Sequence, residues 1–337
     1  MKDLFIIGNE KISIVDKSFY SANIDFKTII EGLKSNFNLI IFARKSFKKE
    51  NFFINYKSII LSNNIFSYLL SIILGFKKKR ESIYFIISIT PYTFLAFCIL
   101  FLFKKKIYLY LRSDGFKEYE AILGERWVFL YKIMFLYTIK RSIIISCHKS
   151  LSRGIAYHDV RPSELNDLWF SNRKVNLPKN NIKFLYVGRI RVEKGIFYLL
   201  DIFSKINSKF HLTIVGDKKI EKKKDLNISF FYFFDNVNAL ISQYDLCDIF
   251  LLPSYTEAHP KVIDEALSRL KPVIIFEEIS HIVEDRLGVF VAKRELKDFL
   301  DKVKYIENNY TDIITKMHKN RLPSKKSFIK NLVKIIK

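Results

Sequence analysis

The sequence IKFLYVGRIRVEKGIFYLLDIF, residues 182–203, carries the signals of a strand, a loop and a helix in turn. Its first apolar run ends at Gly188, a basic loop holds Arg189 and Lys194, and Gly195 opens an amphipathic helical pattern. Open α/β sheets bind their ligands at the carboxyl ends of the strands. The stretch therefore predicts an α/β sheet with two cations at its ligand-binding edge.

Two further stretches repeat the step from strand to turn. FHLTIVGD runs an apolar strand into Gly216 and Asp217, and CDIFLLPS predicts a strand over Ile249–Leu252 that brings Ser254 to the same edge. Asp217 is also consistent with a residue that only closes a turn after the strand. These stretches predict that the edge is built from several neighbouring strands.

The sequence PSYTEAHPKVIDE, residues 253–265, contains Glu257 and Glu265 with seven residues between them. Pro260 suits the first position of a helix, and the apolar residues that follow have helical spacing. Helix N-termini bind anions through exposed amides and the positive end of the dipole. The turn formed by Ala258, His259 and Lys261 is therefore a candidate cradle for a diphosphate.

Together these motifs resemble a known family. The order VGRIRVEKG, IVGD, CDIFLLPS and then two glutamates with seven residues between them is similar to the donor domain of retaining family 4 glycosyltransferases, also called group 1. The resemblance is strong over residues 182–291, and it continues without a diagnostic motif over residues 83–152. It implies an α/β GT-B fold, in which two Rossmann-like domains face each other across a cleft.

The resemblance also implies roles for individual residues. Arg189 and Lys194 would grip the donor diphosphate, Glu257 would contact the hydroxyls of the donor sugar, and Glu265 would hold the ribose. The family commonly has glycine, an aromatic residue and glycine after the first glutamate, where this chain has Ala258, His259 and Pro260. The expected donor-binding residues are Gly188, Arg189, Lys194, Gly216, Asp217, Ser254, Glu257, Ala258, His259, Pro260, Lys261, Val262 and Glu265.

Two of these residues have simpler alternatives. His259 is either a sugar or phosphate contact or a spacer beside Pro260. Glu265 is either a ribose ligand or a surface acid that pairs with Arg269 one helical turn later.

The expected chemistry is loss of a diphosphate leaving group without a metal. Some transferases neutralise that group with a divalent metal held by an Asp-x-Asp pair, and this sequence contains no such pair. Two fixed cations and a helix N-terminus can do the same electrostatic work. We therefore expect no metal and no cofactor. Glu257 could in principle attack the sugar, as in a retaining glycosidase, but the resemblance implies that it orients the sugar during front-face transfer.

The first half of the chain gives weaker signals for an acceptor site. Asp114 follows a predicted strand that ends at Leu111, near the place where the family often has a histidine facing the donor sugar. Asp114 is either an acceptor-side base or part of a strand-end turn closed by Gly115. With Arg189, Lys194 and Glu257 it completes the expected catalytic set.

The chain length of 337 residues suits two domains. Residues 1–165 are expected to form a Rossmann-like acceptor domain, and the polar segment 166–181 a linker. Residues 182–310 are expected to form the donor domain, and residues 311–337 a helical segment that crosses back to the first domain.

The uncharged run Ile83–Phe103 is long enough to be a transmembrane candidate. Pro91 divides it, and a strand is expected after Lys106, so a buried strand–helix–strand unit is the favoured interpretation. The helix from Tyr92 to Phe103 is apolar nearly all round and ends in three lysines, which would also suit a membrane interface.

The formal net charge is +23, with lysine-rich clusters at residues 77–80, 104–106 and 222–224. Nucleic acid, anionic lipid and a lysine-rich composition could each account for it. No RNA-binding or helix-turn-helix pattern is present, so we expect no nucleic acid and favour an anionic membrane surface.

The three cysteines are far apart in apolar segments, which indicates neither a disulfide framework nor a metal cluster, and the N-terminus lacks the pattern of a signal peptide. We expect a cytoplasmic enzyme, at the inner face of the membrane if it binds lipid. Its partners would be a nucleotide sugar and a glycan or lipid-linked acceptor in polysaccharide or lipopolysaccharide synthesis. A nucleotide-sugar epimerase and a non-catalytic basic binding protein are the alternatives.

Overall fold

The computed structural model describes residues 1–78, 82–175, 181–206, 210–219, 227–234, 236–257 and 259–337. The described residues do not include the expected site residue Ala258 or the lysine cluster at residues 222–224. In the cluster at residues 77–80, they include only the main chain of Lys77 and Lys78. The chain folds into two compact units. Unit 1 comprises residues Met1–Glu164 and Lys325–Lys337, and unit 2 comprises Leu165–Ser324.

Unit 1 alternates strands and helices along the chain. Its strands are β1 (Asp3–Val15), β2 (Ser18–Ser21), β3 (Asn38–Lys45), β4 (Phe52–Ile54), β5 (Ile60–Ser62), β6 (Ile83–Ile87), β7 (Ile107–Leu111), β8 (Ile143–Ser146) and β9 (His158–Asp159). Its helices before the second unit are α1 (Ile24–Leu33), α2 (Ile65–Lys78), α3 (Pro91–Leu102), α4 (Gly115–Leu123) and α5 (Glu125–Ile139).

Unit 2 has the same alternation. Its strands are β10 (Ile182–Val187), β11 (Phe210–Gly216), β12 (Ile228–Tyr232), β13 (Ile249–Leu252), β14 (Val273–Phe276) and β15 (Val289–Ala292). Its helices are α6 (Asp167–Phe170), α7 (Ile196–Lys205), α8 (Val237–Leu246), α9 (Lys261–Ser268), α10 (Leu296–Asn308) and α11 (Tyr310–Met317). The last helix of the chain, α12 (Lys325–Ile336), belongs to unit 1.

The sheet of unit 1 is mostly parallel. Its order in the described residues is β4-β2-β1-β6-β7-β8-β9, and β3 pairs with both β1 and β5. The long β1 accounts for this branching, because its first half pairs in parallel with β3 and β6 and its second half turns antiparallel to β2. The central strands β6, β7 and β8 are almost wholly buried because helices cover both faces of the sheet there.

The sheet of unit 2 is wholly parallel in the described residues, with the order β12-β11-β10-β13-β14-β15. The strand order reverses at β10, which lies between β11 and β13. Ligands of open α/β sheets bind outside the carboxyl ends of the strands at such a reversal. The prediction of parallel α/β sheets is confirmed, and the predicted loops after β10 and β13 come from neighbouring strands.

The apolar run at residues 83–103 folds as the predicted strand–helix–strand unit, β6, α3 and β7. Thr90 caps α3 in a capping box and Pro91 occupies its first turn, which is why the helix begins there. The helix has 12 residues. Among the described residues, no helix has both the length and the apolar character needed to cross a membrane.

The segment 166–175 differs from the linker that was expected for residues 166–181. It contains α6, and Trp169 is buried in the core of unit 2. The Arg269 guanidinium explains this anchoring: it binds both carboxylate oxygens of Asp245, at 2.8 and 2.9 Å, and donates to main-chain carbonyls. Those carbonyls belong to Leu168, Trp169, Ser171 and Asn172. Residues 176–180 of the expected linker lie outside the described residues.

The C-terminal segment also differs from the expectation that it would leave the donor domain at residue 311. Helix α11 stays in unit 2, because Ile313, Ile314 and Met317 are buried in that unit's core. Only α12 packs in unit 1, where Phe328, Leu332 and Ile336 join the core beside α1.

Candidate functional site

Lys194 and Glu257 meet at the carboxyl edge of the sheet of unit 2. The Lys194 Nζ atom lies 2.6 Å from Glu257 Oε1, and the Ser254 hydroxyl donates to the same oxygen at 2.7 Å. Lys194 ends a short 3-10 turn after β10, whereas Ser254 and Glu257 follow β13. The side chains are 20% and 11% exposed, so the pair lies at the protein surface but is largely shielded. Three of the expected site residues are therefore brought together.

The two loops approach each other at Gly195. This residue has a φ of +66°, and a Cβ atom there would lie 1.9 Å from the Pro253 carbonyl oxygen. Glycine adopts this left-handed conformation without strain, and its lack of a Cβ atom leaves room for the neighbouring main chain. The Tyr255 amide also donates to the Glu193 carbonyl at 2.9 Å. The spacing between Lys194 and Glu257 is thus set by the backbone and not only by the ion pair.

Arg189 lies at the end of β10 with its side chain exposed. Its main chain is fixed on two sides: the Tyr186 hydroxyl donates to the Arg189 carbonyl at 2.8 Å, and Asp217 Oδ1 accepts from the Ile190 amide at 2.7 Å. Burial, followed by the carboxylates of Glu257 and Asp217, raises the pKa of Tyr186, so its hydroxyl stays a donor. In the described part of the chain, Arg189 forms no ion pair.

Asp217 and the two glycines shape this loop. The Asp217 carboxylate holds the Ile190 amide, which agrees with the simpler interpretation of a turn-closing residue. A Cβ atom on Gly216 would lie 2.7 Å from Ile190 Cδ1, and one on Gly188 would lie 2.7 Å from the Tyr186 hydroxyl. Both glycines therefore allow close packing behind the Arg189 loop.

Helix α9 begins at Lys261. Pro260 was predicted at the first helical position and lies one residue before it, as the N-cap. Pro260 is buried, whereas Lys261 and Val262 are half-buried at the first turn. The predicted helix start is confirmed to within one residue. The loop that carries Glu257 begins at the carboxyl end of β13 and leads directly into the first turn of α9.

The His259 side chain is buried beneath this turn. Its Nε2 atom lies 3.5 Å from Asp264 Oδ2, and Asp264 Oδ1 accepts from Arg286 Nε at 2.8 Å. Arg286 in turn donates to the Ile282 carbonyl at 2.9 Å and to Glu284 at 3.1 Å. The imidazole thus packs beneath the loop after β13, and a donor contact through the His259 side chain stays an untested prediction.

Glu265 lies on α9, one turn after its start. The Tyr244 hydroxyl donates to Glu265 Oε2 at 2.7 Å. Burial, followed by the charge of Glu265, raises the pKa of Tyr244, which keeps the phenol protonated as the donor. The alternative, in which Glu265 pairs with Arg269, is wrong, because the Arg269 guanidinium binds Asp245 instead.

Two residues that the sequence did not single out hold the loop after β13. Arg294 Nη2 donates to the Pro253 carbonyl at 2.6 Å and to the Ser254 carbonyl at 3.2 Å. The Arg294 guanidinium also lies 3.9 Å from the ring centre of Tyr255. His281 Nε2 lies 3.0 Å from the Glu257 carbonyl oxygen. Both residues are distant in sequence from the motifs, so no local pattern could have indicated them.

Asp114 in unit 1 caps a helix. Its Oδ1 atom accepts from the Phe116 amide at 3.0 Å at the start of α4, and the same oxygen lies 3.7 Å from Arg153 Nη2. This arrangement is that of an N-cap residue. It favours the strand-end turn over the acceptor-side base, and the base role stays untested.

Among the described residues, no group of three or more histidine, cysteine, aspartate or glutamate side chains has an arrangement that could hold a metal ion. The charged groups of the site are instead Lys194, Arg189, Glu257 and Glu265. Together they provide cations and hydrogen-bond acceptors at one edge of a parallel sheet. This arrangement can hold a polar ligand that is both anionic and rich in hydroxyl groups.

Comparison with known proteins finds a family model that matches residues within unit 2. Residues 167–322 match the family model described as "Glycosyl transferases group 1". The match contains all the strands of unit 2 and both loops of the site.

Sequence relatives point the same way. A 41.2 kDa protein of the cps region of Klebsiella pneumoniae is 28% identical over 205 residues, which is 59% of this chain and 52% of that protein. The capsular polysaccharide biosynthesis glycosyltransferase CapM of Staphylococcus aureus is 26% identical over 172 residues, 47% of this chain and 44% of CapM. The chain spans about half the length of the curated relatives it matches.

Solved structures extend the likeness to the whole fold. HepE from Anabaena, crystallised with UDP and glucose, has a TM-score of 0.67 at 13% identity over 99% of both chains. WaaG, a glycosyltransferase involved in lipopolysaccharide biosynthesis, has a TM-score of 0.67 at 14% identity over 99% of both chains. At these identities the likeness concerns the fold alone. The predicted GT-B class with two Rossmann-like domains is confirmed.

Proposed function

We propose that the chain is a retaining, metal-independent glycosyltransferase that moves a sugar from a nucleotide-diphosphate sugar to a glycan or lipid-linked acceptor. The glycosyl transferases group 1 match of residues 167–322 supports the enzyme class. UDP and glucose in HepE support the type of donor. CapM and WaaG, which act in capsular polysaccharide and lipopolysaccharide synthesis, support an acceptor of the cell surface.

The observation that carries the proposal is the contact of Lys194 and Glu257, with Ser254 on the same carboxylate oxygen. A lysine ammonium has three donors, and Glu257 occupies one of them. Lys194 can therefore bind a phosphate oxygen while it still holds Glu257. The carboxylate would accept hydrogen bonds from sugar hydroxyls next to that phosphate.

Arg189 would supply the second cation. Because Tyr186 and Asp217 fix its main chain on both sides, the guanidinium starts from a fixed point at the end of β10. A planar guanidinium suits two oxygens of a phosphate group. The first amides of α9 would add donors and the positive end of a helix dipole. Charge that is positioned before the reaction stabilises the leaving group without reorganisation.

In the proposed reaction the bond between the anomeric carbon and the phosphate oxygen breaks, and its electron pair leaves with the diphosphate. An acceptor hydroxyl bonds to the same face of the anomeric carbon and passes its proton to the departing phosphate. Lys194 and Arg189 offset the charge that develops on the phosphate. Glu257 orients the sugar, and Glu265, whose carboxylate is held by Tyr244, would bind the ribose. We propose that the other donor-binding residues expected from the resemblance contact the donor from the loops of this site.

We also propose a cytoplasmic location at the inner face of a membrane and a reaction that needs no cofactor. The charge of +23 supports an anionic lipid partner, and the sequence lacks the Asp-x-Asp pair that holds metal in some transferases. No nucleic acid partner is proposed.

A donor screen tests the proposal. UDP-, GDP- and ADP-sugars are scanned in EDTA for thermal stabilisation, which reports binding to the native state. The best donor is then incubated with extracted envelope lipids, and the product linkage is determined by NMR. We expect transfer in EDTA with the donor's anomeric configuration retained. A product with the inverted anomeric configuration would contradict the retaining mechanism. Activity only with added magnesium would contradict metal independence.

The same screen separates the alternatives. An epimerase would convert the donor without any acceptor, and NMR of the nucleotide sugar alone would detect the new epimer. A non-catalytic binding protein would show neither stabilisation nor turnover with any nucleotide sugar.

A further inference from the structure

One side of unit 1 is apolar on its outer surface. Helices α2, α3 and α5 bury their inner stripes in one core cluster against the sheet, and α4 packs beside α5. On the side away from that core, these helices and the residue after α3 carry large exposed apolar side chains. We call this set the outer helical face: Phe66, Leu70, Leu74, Leu95, Leu102, Phe103, Ile122, Leu123, Trp127, Phe129, Leu130, Ile133 and Leu136.

Helix α5 has two apolar stripes. Tyr131, Met134, Phe135 and Thr138 are spaced by three and four residues and are buried. On the opposite side of the helix, Phe129, Ile133 and Leu136 repeat at the same spacing and are 69%, 47% and 44% exposed. A surface helix of a soluble domain has a polar outer face. A second apolar stripe, continued by neighbouring helices, indicates a surface that contacts a partner.

The same unit carries most of the chain's charge. Unit 1 contains 31 lysines and arginines and 13 aspartates and glutamates, a formal net charge of +18. Unit 2 contains 26 basic and 21 acidic residues, a net charge of +5. The excess of positive charge therefore belongs to the unit that exposes the apolar surface.

Basic side chains border the outer helical face. Lys104 and Lys106 precede β7, and Lys140 precedes β8; because β7 and β8 are parallel neighbours, these residues lie along one edge of the sheet. Arg126 and Lys132 lie on α5 itself and are exposed. Within the described residues none of these five side chains forms an ion pair. Their charge is thus available to an external anionic partner.

From this arrangement we infer that the outer helical face docks on an anionic lipid surface. Apolar side chains would enter the boundary between headgroups and acyl chains, and the bordering lysines and arginines would contact the headgroups. A second copy of the chain is a poorer partner, because it would bring two strongly basic units together. The inference deepens the proposed function by naming where a lipid-linked acceptor is met, but its test needs no transfer activity.

The two tryptophans make the test direct. Trp127 belongs to the outer helical face and is 51% exposed, whereas Trp169 is 2% exposed in the core of unit 2. Vesicles of equal parts phosphatidylglycerol and phosphatidylcholine are added to the full chain at low salt. We expect the emission of Trp127 to shift to the blue and to be quenched by brominated lipid. The Trp127→Phe variant should lose both signals.

Sedimentation with the same vesicles identifies the surface. We expect the triple variant Phe129→Gln, Ile133→Gln, Leu136→Gln, and separately Lys104→Gln, Lys106→Gln, Lys140→Gln, to lower the partition coefficient by about tenfold or more. The matched control is Leu246→Gln, Leu287→Gln, Tyr305→Gln, which removes exposed apolar side chains from unit 2 and should bind as the parent does. Lys194→Ala should also bind normally, so loss of transfer and loss of docking are distinguishable.

Three results would overturn the inference. The parent chain could stay in the supernatant at low salt, or the apolar triple variant could bind as tightly as the parent. Alternatively, sedimentation velocity could find a lipid-free dimer that the apolar triple variant converts to a monomer, which would make a second copy the occupant.

Discussion

Unit 2 and the outer helical face of unit 1 hold their cations differently. In unit 2, three cations have partners at short range: Lys194 at Glu257, Arg269 at Asp245, and Arg294 at main-chain carbonyls. Arg189 is exposed and forms no ion pair among the described residues. In unit 1, Lys132 and Lys140 extend from an apolar surface without ion pairs among the described residues. Charge that is fixed in one geometry suits a single small anion, whereas loose charge suits an extended surface. This difference supports the proposals that unit 2 binds the donor and that unit 1 attaches to a surface.

The largest expected effect concerns the stability of unit 2. Arg269→Met should lower the free energy of unfolding by about 3–5 kcal/mol, because it leaves the Asp245 charge and several carbonyls in the core without their donor. Chemical denaturation measures the change. The control Arg153→Met removes a half-exposed cation of unit 1, 3.7 Å from Asp114, and should cost less than about 1 kcal/mol. Equal costs would show that the buried Arg269–Asp245 pair stabilises the fold no more than a half-exposed ion pair does.

Next in size is the effect of Lys194 on transfer. Lys194→Ala should reduce kcat/KM by about 10²- to 10³-fold, because a positioned donor to the leaving group is lost. Lys205→Ala is the matched control: its ammonium also lies 2.6 Å from a carboxylate, that of Asp201, but both side chains are more than half exposed on α7. Steady-state kinetics with the identified donor compares the two. A normal rate for Lys194→Ala would remove the cation from the mechanism.

A pair of glycines tests the close approach of the two site loops. Gly195→Ala places a Cβ atom 1.9 Å from the Pro253 carbonyl oxygen, so the loops must separate and donor affinity should fall together with Tm. Gly154→Ala has a similar φ of +86° but open space around its Cβ position. It should show only the cost of a left-handed alanine, about 1–2 kcal/mol. Similar donor affinities in both variants would mean that loop contact does not set the site.

The smallest expected effect is at Asp114. Asparagine caps helices about as well as aspartate, so Asp114→Asn should keep the stability of α4 and transfer within a few-fold of the parent. Asp114→Ala should lose about 1 kcal/mol of stability. Kinetics at saturating acceptor decides the role. A loss of about 10²-fold or more in Asp114→Asn would restore the acceptor-side base, since only the carboxylate can take a proton.

Much of the fold could be predicted from local sequence. The strand Ile249–Leu252 has its predicted bounds, and the strand before Asp114 ends at Leu111 as predicted, because each is a short apolar run followed by polar or turn residues. Helix α9 was predicted from Pro260 and the apolar spacing after it. These signals lie within a few residues of the elements that they specify.

What the sequence did not predict depends on contacts between distant residues. Trp169 and the carbonyls around it are fixed by Arg269, which lies a hundred residues later in the chain. His281 and Arg294 reach the loop after β13 from the segments that follow β14 and β15. The apolar outer stripe of α5 is also invisible in periodicity, because both stripes together make the helix apolar all round. Only the packed structure separates the buried stripe from the exposed one.

The central claim is that the cation of Lys194 holds a diphosphate without a metal. Isothermal titration calorimetry of the best nucleotide sugar in EDTA, with the parent and with Lys194→Ala, tests it most directly. We expect the parent to bind in EDTA and the variant to bind at least about tenfold more weakly, the loss of one charge-assisted contact. Equal affinities, or parent binding that appears only when magnesium is added, would contradict the claim.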